Sequence, residues 1–349
     1  MKVEELRPRI KNPTEARVVP VTKDGTFPIG AYLTTNLIEF FWRGGRWVLP
    51  SQPRMDGVVR ADGDRLAITE PNKLKEGEGV VFGDTEDGSQ GIYVTGFPQS
   101  AEEGAQFGFM SSAVSRERRV DYSRLAAVLK EARESEGKII WVLGPAVVHA
   151  GGIGEMEWLV RNQFVGALLG GNAIGAHDIE HALYGTSLGM LDNLRPVHNA
   201  HRMHLEALNE VRRLGSIRAA VEAGAITRGI MYECVKNDVP YVLTASIRDD
   251  GPLPDVIIDN LKGQMAMREQ TIDASLVVML ASVLHSVATG NMTPTYRVDG
   301  DEIKPIPVIA VDSDEFAVTK LVDRGTGQAF PVIANAADFL QRLVVELSK

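Results

Sequence analysis

From about residue 138 onward, short unbroken apolar runs alternate with longer stretches whose apolar residues recur every three or four positions. The runs are 138–148 (KIIWVLGPAVV), 164–169 (FVGALL), 239–247 (VPYVLTASI), 275–282 (SLVVMLAS) and 307–311 (PVIAV). Each has the length and the β-branched content of a strand buried on both faces. Helical spacing predicts helices over 155–162, 201–224, 227–237 and 255–269, another from about 313 to Leu321, and a closing amphipathic helix over 336–348. Fully apolar strands alternating with helices form a parallel sheet covered on both sides. Right-handed crossovers then bring the carboxyl ends of all the strands to one edge. That edge collects His149-Ala150-Gly151-Gly152, Gly171-Asn172-Ala173, Arg248-Asp249-Asp250, Ser282-Val283-Leu284-His285 and Asp312.

The chain before this alternation has a different texture. Short runs at 46–49, 57–60, 79–82 and 91–94 are bounded by Gly, Pro and other turn residues, which predicts a small sheet of short strands. The apolar spacing of Leu33, Leu37, Ile38, Phe40 and Phe41 predicts one helix over 31–42, and a linking helix is expected over 121–135. The expected organisation is a β-rich α+β amino-terminal domain over residues 1–115 and a larger parallel-sheet domain over 116–349. All 7 histidines lie between His149 and His285, so the chemistry is expected in the larger domain.

Composition narrows the classes. A chain of 349 residues with 44% hydrophobic and 24% charged residues is an ordinary globular protein with room for two domains. A formal net charge of -9 argues against a broad nucleic-acid footprint. The single cysteine, Cys234, rules out an internal disulfide framework and any zinc site made of several thiolates; within its helical pattern a buried inert thiol is expected. The polar amino terminus lacks a signal-peptide core, and runs such as 275–281 are too short to cross a bilayer, so a cytoplasmic protein is expected.

The stretch 164–189 (FVGALLGGNAIGAHDIEHALYGTSLG) carries the clearest candidate site: a strand, a Gly-Gly-Asn-Ala turn and a helix. The first turn of such a helix offers free N–H groups and a positive dipole end to a phosphate or carboxylate, and a dinucleotide against this turn is the working expectation. No GxGxxG or Walker A sequence supports it, and glycines at 151–154 and 170–171 also suit any tight strand-to-helix turn. Asp312 fits either a ribose contact or a helix N-cap. His177 and His181 share the four-residue spacing of a metal pair, but HDIEH is not HExxH and no third ligand is evident in the sequence, so no metal is expected. His198, His201 and His204 suggest surface or substrate-facing polarity. Arg248, Asp249 and Asp250 offer a cation and acids to an amino-acid substrate, or simply a salt-bridged turn.

Taken together, Gly144-Pro145-Ala146-Val147-Val148-His149, the Asn172-Ala173 turn with His177–Glu180, Gly185-Thr186-Ser187-Leu188-Gly189, Gly229–Cys234, Ser246–Asp255, Leu284-His285-Ser286 with Gly290-Asn291-Met292, and Asp323–Thr326 resemble the archaeal-type ornithine cyclodeaminase family, also labelled the LOR/SDH conserved domain. The resemblance is densest over 107–340 and extends to the carboxyl-terminal half of the arginine dihydrolase/ornithine cyclodeaminase fusions. It implies a Rossmann-like domain akin to that of deoxyhypusine synthase, and NAD as cofactor. It places NAD contacts at Asn172, Ala173, Asp250, Ser282, Val283, Leu284, His285, Asp312 and Asn335. Asn335 stands where an aspartate is expected, and the segment 293–307 is longer than usual.

The reaction implied is L-ornithine to L-proline and ammonia: a hydride leaves the α-carbon, the δ-amine closes the ring, ammonia departs and the hydride returns. A general base is needed, and His149, Asp178, Asp249 and Lys320 are the candidates. The expected partners are ornithine and further copies of the same chain, without nucleic acid or membrane. The competing readings are an NAD-dependent opine, saccharopine-like or other amino-acid dehydrogenase, and a non-catalytic NAD-binding protein. A dihydrolase activity is not expected, because Cys234 is the only cysteine and lies outside the amino-terminal region.

Overall fold

The turn-punctuated amino-terminal region forms two small antiparallel sheets. The computed structural model describes residues 1–97, 120–135, 137–188, 190, 201–249, 251–323 and 329–349. After a short helix α1 (Val3–Leu6), strands β1 (Arg17–Pro20), β2 (Ile38–Arg43), β3 (Arg46–Val48), β4 (Val58–Asp62), β5 (Arg65–Thr69), β6 (Gly79–Phe82) and β7 (Ile92–Thr95) pair in the orders β1-β6-β4-β5 and β3-β2-β7. The helix expected over 31–42 is not formed: β2 occupies its second half, between β3 and β7. The period is two rather than 3.6. Ile38 and Phe40 pack with Trp47, Tyr296 and Ile303, while Phe41 on the opposite face packs with Ala16, Tyr32, Val59 and Ile92. A strand buried on both faces has no polar stripe, and its apolar run imitates a helix.

Two of those partners, Tyr296 and Ile303, come from a hairpin far along the chain, Tyr296–Asp299 paired with Glu302–Pro305. The chain separates into two compact units, and residues 291–306 belong with residues 1–97 in the first. The expected division at 115/116 takes no account of this return, and its boundary lies outside the described residues.

In the second unit the apolar runs form a six-stranded sheet. Its strands are β8 (Lys138–Leu143), β9 (Ala167–Gly171), β10 (Tyr241–Thr244), β11 (Ala274–Leu280) and, after the hairpin strands β12 and β13, β14 (Val308–Asp312) and β15 (Ala329–Ile333). Every neighbouring pair is parallel. β15 was not expected, because Pro331 interrupts its pattern; an edge strand tolerates that proline. Helices α2 (Tyr122–Glu134), α3 (Ala146–His149), α4 (Ile153–Arg161), α5 (Asn172–Tyr184), α6 (His201–Leu214), α7 (Ile217–Glu222), α8 (Ile230–Lys236), α9 (Asn260–Thr271), α10 (Val283–Met292), α11 (Glu315–Asp323) and α12 (Ala336–Leu347) connect the strands. The single helix expected over 201–224 is two, α6 and α7. Gly215 turns the chain at φ 99° and Ser216 restarts the helix by accepting the Ala219 N–H at 3.0 Å. No helix among the described residues is long and apolar enough to cross a membrane.

The strand order β10-β9-β8-β11-β14-β15 is that of the doubly wound dinucleotide-binding fold. From β8 the chain steps outward through β9 and β10, then returns to β11 and steps the other way. The reversal leaves a crevice outside the carboxyl ends of β8 and β11. There, a Cβ on Gly144 would collide with the Ala281 carbonyl oxygen, so only glycine lets the two strand ends run this close.

Candidate functional site

The central turn at this crevice has no connecting residue. Helix α5 begins at Asn172, immediately after β9 ends at Gly171. The buried Asn172 side chain accepts the Leu253 N–H at 3.0 Å, which ties the loop after β10 to the turn after β9. His285, in the first turn of α10, lies against Gly171: a Cβ there would come within 2.6 Å of its ring. Its Nδ1 is 3.2 Å from Ser282 Oγ. Burial holds the His285 pKa below its ordinary value, with Asp249 opposing, so Asp249 is within electrostatic reach of the ring. Asp249 in turn accepts the Ser246 N–H at 2.6 Å. The ends of β9, β10 and β11 thus bring Asn172, Ala173, Ser282, His285 and Asp249 to one edge. Val283 opens α10 beside them, and Leu284 leaves its apolar side chain 65% exposed.

Asp312 ends β14 two strands away from β8, with one carboxylate oxygen accepting the Asp314 N–H at 3.1 Å. Asn335 is exposed and caps α12 through the Ala337 N–H at 2.9 Å. Asp250 lies outside the described residues. Lys320 sits in the middle of α11, and none of the hydrogen bonds found among the described residues joins it to the other candidates.

Asp178 lies on the side of α5 that faces α8. It is fully buried, and its two oxygens accept the Ile230 and Met231 N–H groups, each at 2.8 Å, so it caps α8 from α5. Gly229 at φ 103° makes room for it; a Cβ there would approach both carboxylate oxygens to 2.9 Å. Burial pushes the Asp178 pKa up to about 7, although the two amide hydrogen bonds pull it down. Both Asp178 oxygens are thus taken up by backbone donors of α8.

The neighbouring face of α5 carries what the sequence did not reveal. His149, at the end of α3, has its Nδ1 2.6 Å from Ser187 Oγ, and its ring lies 4.8 Å from that of His177. His177 stacks in turn on His204 of α6, again at 4.8 Å. The row of rings rests on one buried carboxylate. Glu180 Oε2 is 3.3 Å from His177 Nδ1 and 3.6 Å from His204 Nδ1, and accepts the Leu188 N–H at 3.1 Å; Oε1 accepts the Thr186 hydroxyl at 3.0 Å. Burial holds the His149 pKa below its ordinary value; His177 lowers it further and Glu180 opposes. A neutral, exposed imidazole oriented by a hydroxyl is suited to accept a proton.

His177, Glu180 and His204 therefore supply the third potential ligand that HDIEH lacked, and His181 is not in the group. Their ligand atoms all lie within 4.8 Å of one another. Both oxygens of Glu180 are also engaged, by the Thr186 hydroxyl and the Leu188 N–H. The one signal in the sequence was the position of Glu180, one helical turn after His177. His198 lies outside the described residues, as does the side chain of His201.

A family model described as arginine dihydrolase ArgZ-like, C-terminal, Rossmann fold, matches residues 123–343, and the model of its first region matches 41–123. The chain belongs to the ArgZ-like carboxyl-terminal family. An ornithine cyclodeaminase of Methanopyrus kandleri is 43% identical over 340 residues, spanning 96% of this chain and 79% of that protein. The crystal structure of a conserved LOR/SDH protein from Methanococcus maripaludis superposes with a TM-score of 0.86 at 39% identity, over 96% of this chain and 98% of that one. A crystal structure of AgrE in ternary complex with ornithine and NAD+ matches with a TM-score of 0.59 at 35% identity, over 97% of this chain and 46% of that one. AgrE of Nostoc is a bifunctional arginine dihydrolase/ornithine cyclodeaminase, so this ArgZ-like chain spans about half of its length.

Proposed function

We propose that the protein is an NAD-dependent ornithine cyclodeaminase, converting L-ornithine to L-proline and ammonia. The observation that carries this reading is the convergence of the β9, β10 and β11 ends at the reversal of the sheet. Relatives named ornithine cyclodeaminase at about 40% identity over most of the chain support it, as does the relative in complex with ornithine and NAD+.

The residues at this edge fit a dinucleotide. The unspaced start of α5 leaves the first-turn N–H groups facing the crevice, where a pyrophosphate is stabilised by the helix dipole. Asp312, ending the strand next to β11, has the place and charge of a ribose-binding acid. Asn172, Ala173, Ser282, Val283, Leu284 and His285 line the edge between. When bound there, NAD supplies a hydride acceptor that also returns the hydride, so ornithine is cyclised without net oxidation.

The protein has to orient the α-carbon and manage protons. His149 is the general base: held neutral by burial and oriented by Ser187, it takes a proton from a substrate ammonium group. Asp249, presented by the loop after β10, offers a carboxylate to the second ammonium group. The test is incubation with NAD and ornithine, measuring proline, ammonia and NADH absorbance. Proline and ammonia in equal amounts without accumulating NADH are expected. Stoichiometric NADH would replace this reading with a net dehydrogenase, and an unchanged panel of basic amino acids would replace it with a non-catalytic NAD-binding protein.

A further inference from the structure

A loop that presents a carboxylate to a substrate has to be held in place by its neighbours. Residues 246–252, after β10, fold back on themselves. Asp249 accepts the Ser246 N–H at 2.6 Å, its own N–H meets the Ser246 carbonyl at 3.1 Å, and the Gly251 N–H meets the Asp249 carbonyl at 3.1 Å. These bonds shape the turn without attaching it to another element. The segment beyond is firmly tied: the Leu253 N–H reaches Asn172, and Asp255 accepts the Ile217 N–H at 2.8 Å and the Tyr241 hydroxyl at 2.9 Å. Among the described residues, the hydrogen bonds that attach 246–252 to another element come from one side chain. It is Arg212 of α6, whose Nη2 donates to the Gly251 carbonyl and, at 3.2 Å, to that of Pro252.

We propose that Arg212 is a positioning residue for ornithine, acting through Gly251 and Pro252 on the loop that presents Asp249; this rests on the ornithine reading above. Three observations carry it. First, glycine at 251 is required twice: its φ is 76°, and a Cβ there would come within 2.7 Å of Arg212 Nη2. The turn is thus fitted to the guanidinium as well as to its own backbone. Second, Arg212 gives its charge to these carbonyls and pairs with no carboxylate among the described residues, whereas Arg213 beside it pairs with Glu210 at 2.6 Å. A hydrogen bond from a cation is stronger than a neutral one, and no acid competes for this donor. Third, α6 is seated by the buried Ala207, Leu208 and Val211 and packs against α5, whose first residue, Asn172, holds the far end of the loop. Both anchors of the loop therefore refer to α5, the helix at the crevice. Arg212 itself is exposed, so losing it opens no cavity in the core.

The test is Arg212→Ala in the full chain with NAD, measuring KM and kcat for proline formation, NAD affinity and melting temperature. KM for ornithine should rise roughly tenfold, the worth of a lost charge-assisted hydrogen bond, with kcat nearly unchanged. NAD affinity should not move, because Leu253 remains tied to Asn172, and the melting temperature should not move, because the core is untouched. Arg212→Lys keeps a cationic donor and should recover most of the wild-type KM. The sharpest reading comes from the double variant. With Asp249→Asn already present, Arg212→Ala should raise KM no further, since both changes act on one carboxylate.

Should Arg212→Ala fail to fold, Arg212→Met keeps the aliphatic stem without a donor and should show the same rise. A wild-type KM in either Arg212 variant, or in Asp249→Asn, overturns the proposal. So does a rise in KM that multiplies with that of Asp249→Asn, or one accompanied by a lowered melting temperature that Arg212→Lys does not restore. If the wild-type enzyme makes no proline, the ornithine reading has failed and takes this proposal with it. If it makes proline and Arg212→Ala binds ornithine normally, the positioning role alone has failed.

Discussion

The two buried faces of α5 carry carboxylates two residues apart, and they meet different partners. Asp178 meets two backbone N–H groups of α8; Glu180 meets two imidazoles, a hydroxyl and one N–H. Both are essentially inaccessible. Burial alone therefore does not tell the two acids apart. The partners do: backbone amides have one protonation state and only fix geometry, whereas imidazoles change charge within the physiological range. Removing side chains on the α8 side should cost stability, and removing them on the histidine side should cost rate.

The largest expected effect tests the histidine side at its exposed end. His149→Ala should lower kcat by about 100-fold or more with no comparable loss of stability, the magnitude of a removed general base. His149 must be neutral to accept a proton and its pKa lies below 6.5, so wild-type activity should be lost as pH falls through a value below 6.5. An acid limb of kcat/KM above that value, still present in His149→Ala, would assign the base to another group.

Asp178→Ala tests the other face. It removes a helix cap and strands two buried amide donors, which should cost about 2–4 kcal/mol in denaturant unfolding while the folded enzyme keeps its turnover. The pH dependence sharpens the same point. The Asp178 pKa is raised to about 7 from 3.8, so the folded state binds the proton more tightly than the unfolded one. Its contribution to stability is then largest at low pH and is lost as pH rises from about 4 to about 7, the opposite of a salt-bridged carboxylate. Asp178→Asn, which cannot titrate, should flatten that part of the stability–pH curve. An unchanged slope, or lost turnover with intact stability, would return Asp178 to the catalytic group.

The same distinction explains what could be read along the chain. Apolar runs and the topology that orders them are local signals with a strong rule behind them. They place β8, β9, β10, β11 and β14, and gather Asn172, Ser282 and His285 at one edge. Three things lay beyond that rule. β2 is apolar on both faces, so its period was masked, and Pro331 hid β15. The pairing of Glu180 with His204 depends on α6 packing against α5, a contact between residues 24 positions apart that no local period encodes. The return of the β12–β13 hairpin to the first unit is a long-range event of the same kind, resting on Tyr296 and Ile303 in a core shared with Ile38 and Phe40.

The smallest effect separates capping from cofactor contact at the sheet's far edge. Asn335 follows β15, three strands from β8, and its side chain already serves as the N-cap of α12. Asn172 opens α5 directly after β9, the strand adjacent to β8, is buried, and has its side-chain oxygen committed to the Leu253 N–H. If NAD lies across the reversal between β8 and β11, Asn335→Ala should cost only about 1 kcal/mol of stability, the value of a lost cap, and leave NAD affinity unchanged. Asn172→Ala should weaken NAD binding, because it frees the loop after β10 from the turn after β9. NAD titrations of the two variants decide the matter. Weakened binding in Asn335→Ala with normal binding in Asn172→Ala would move the cofactor toward β15 and away from the histidine row.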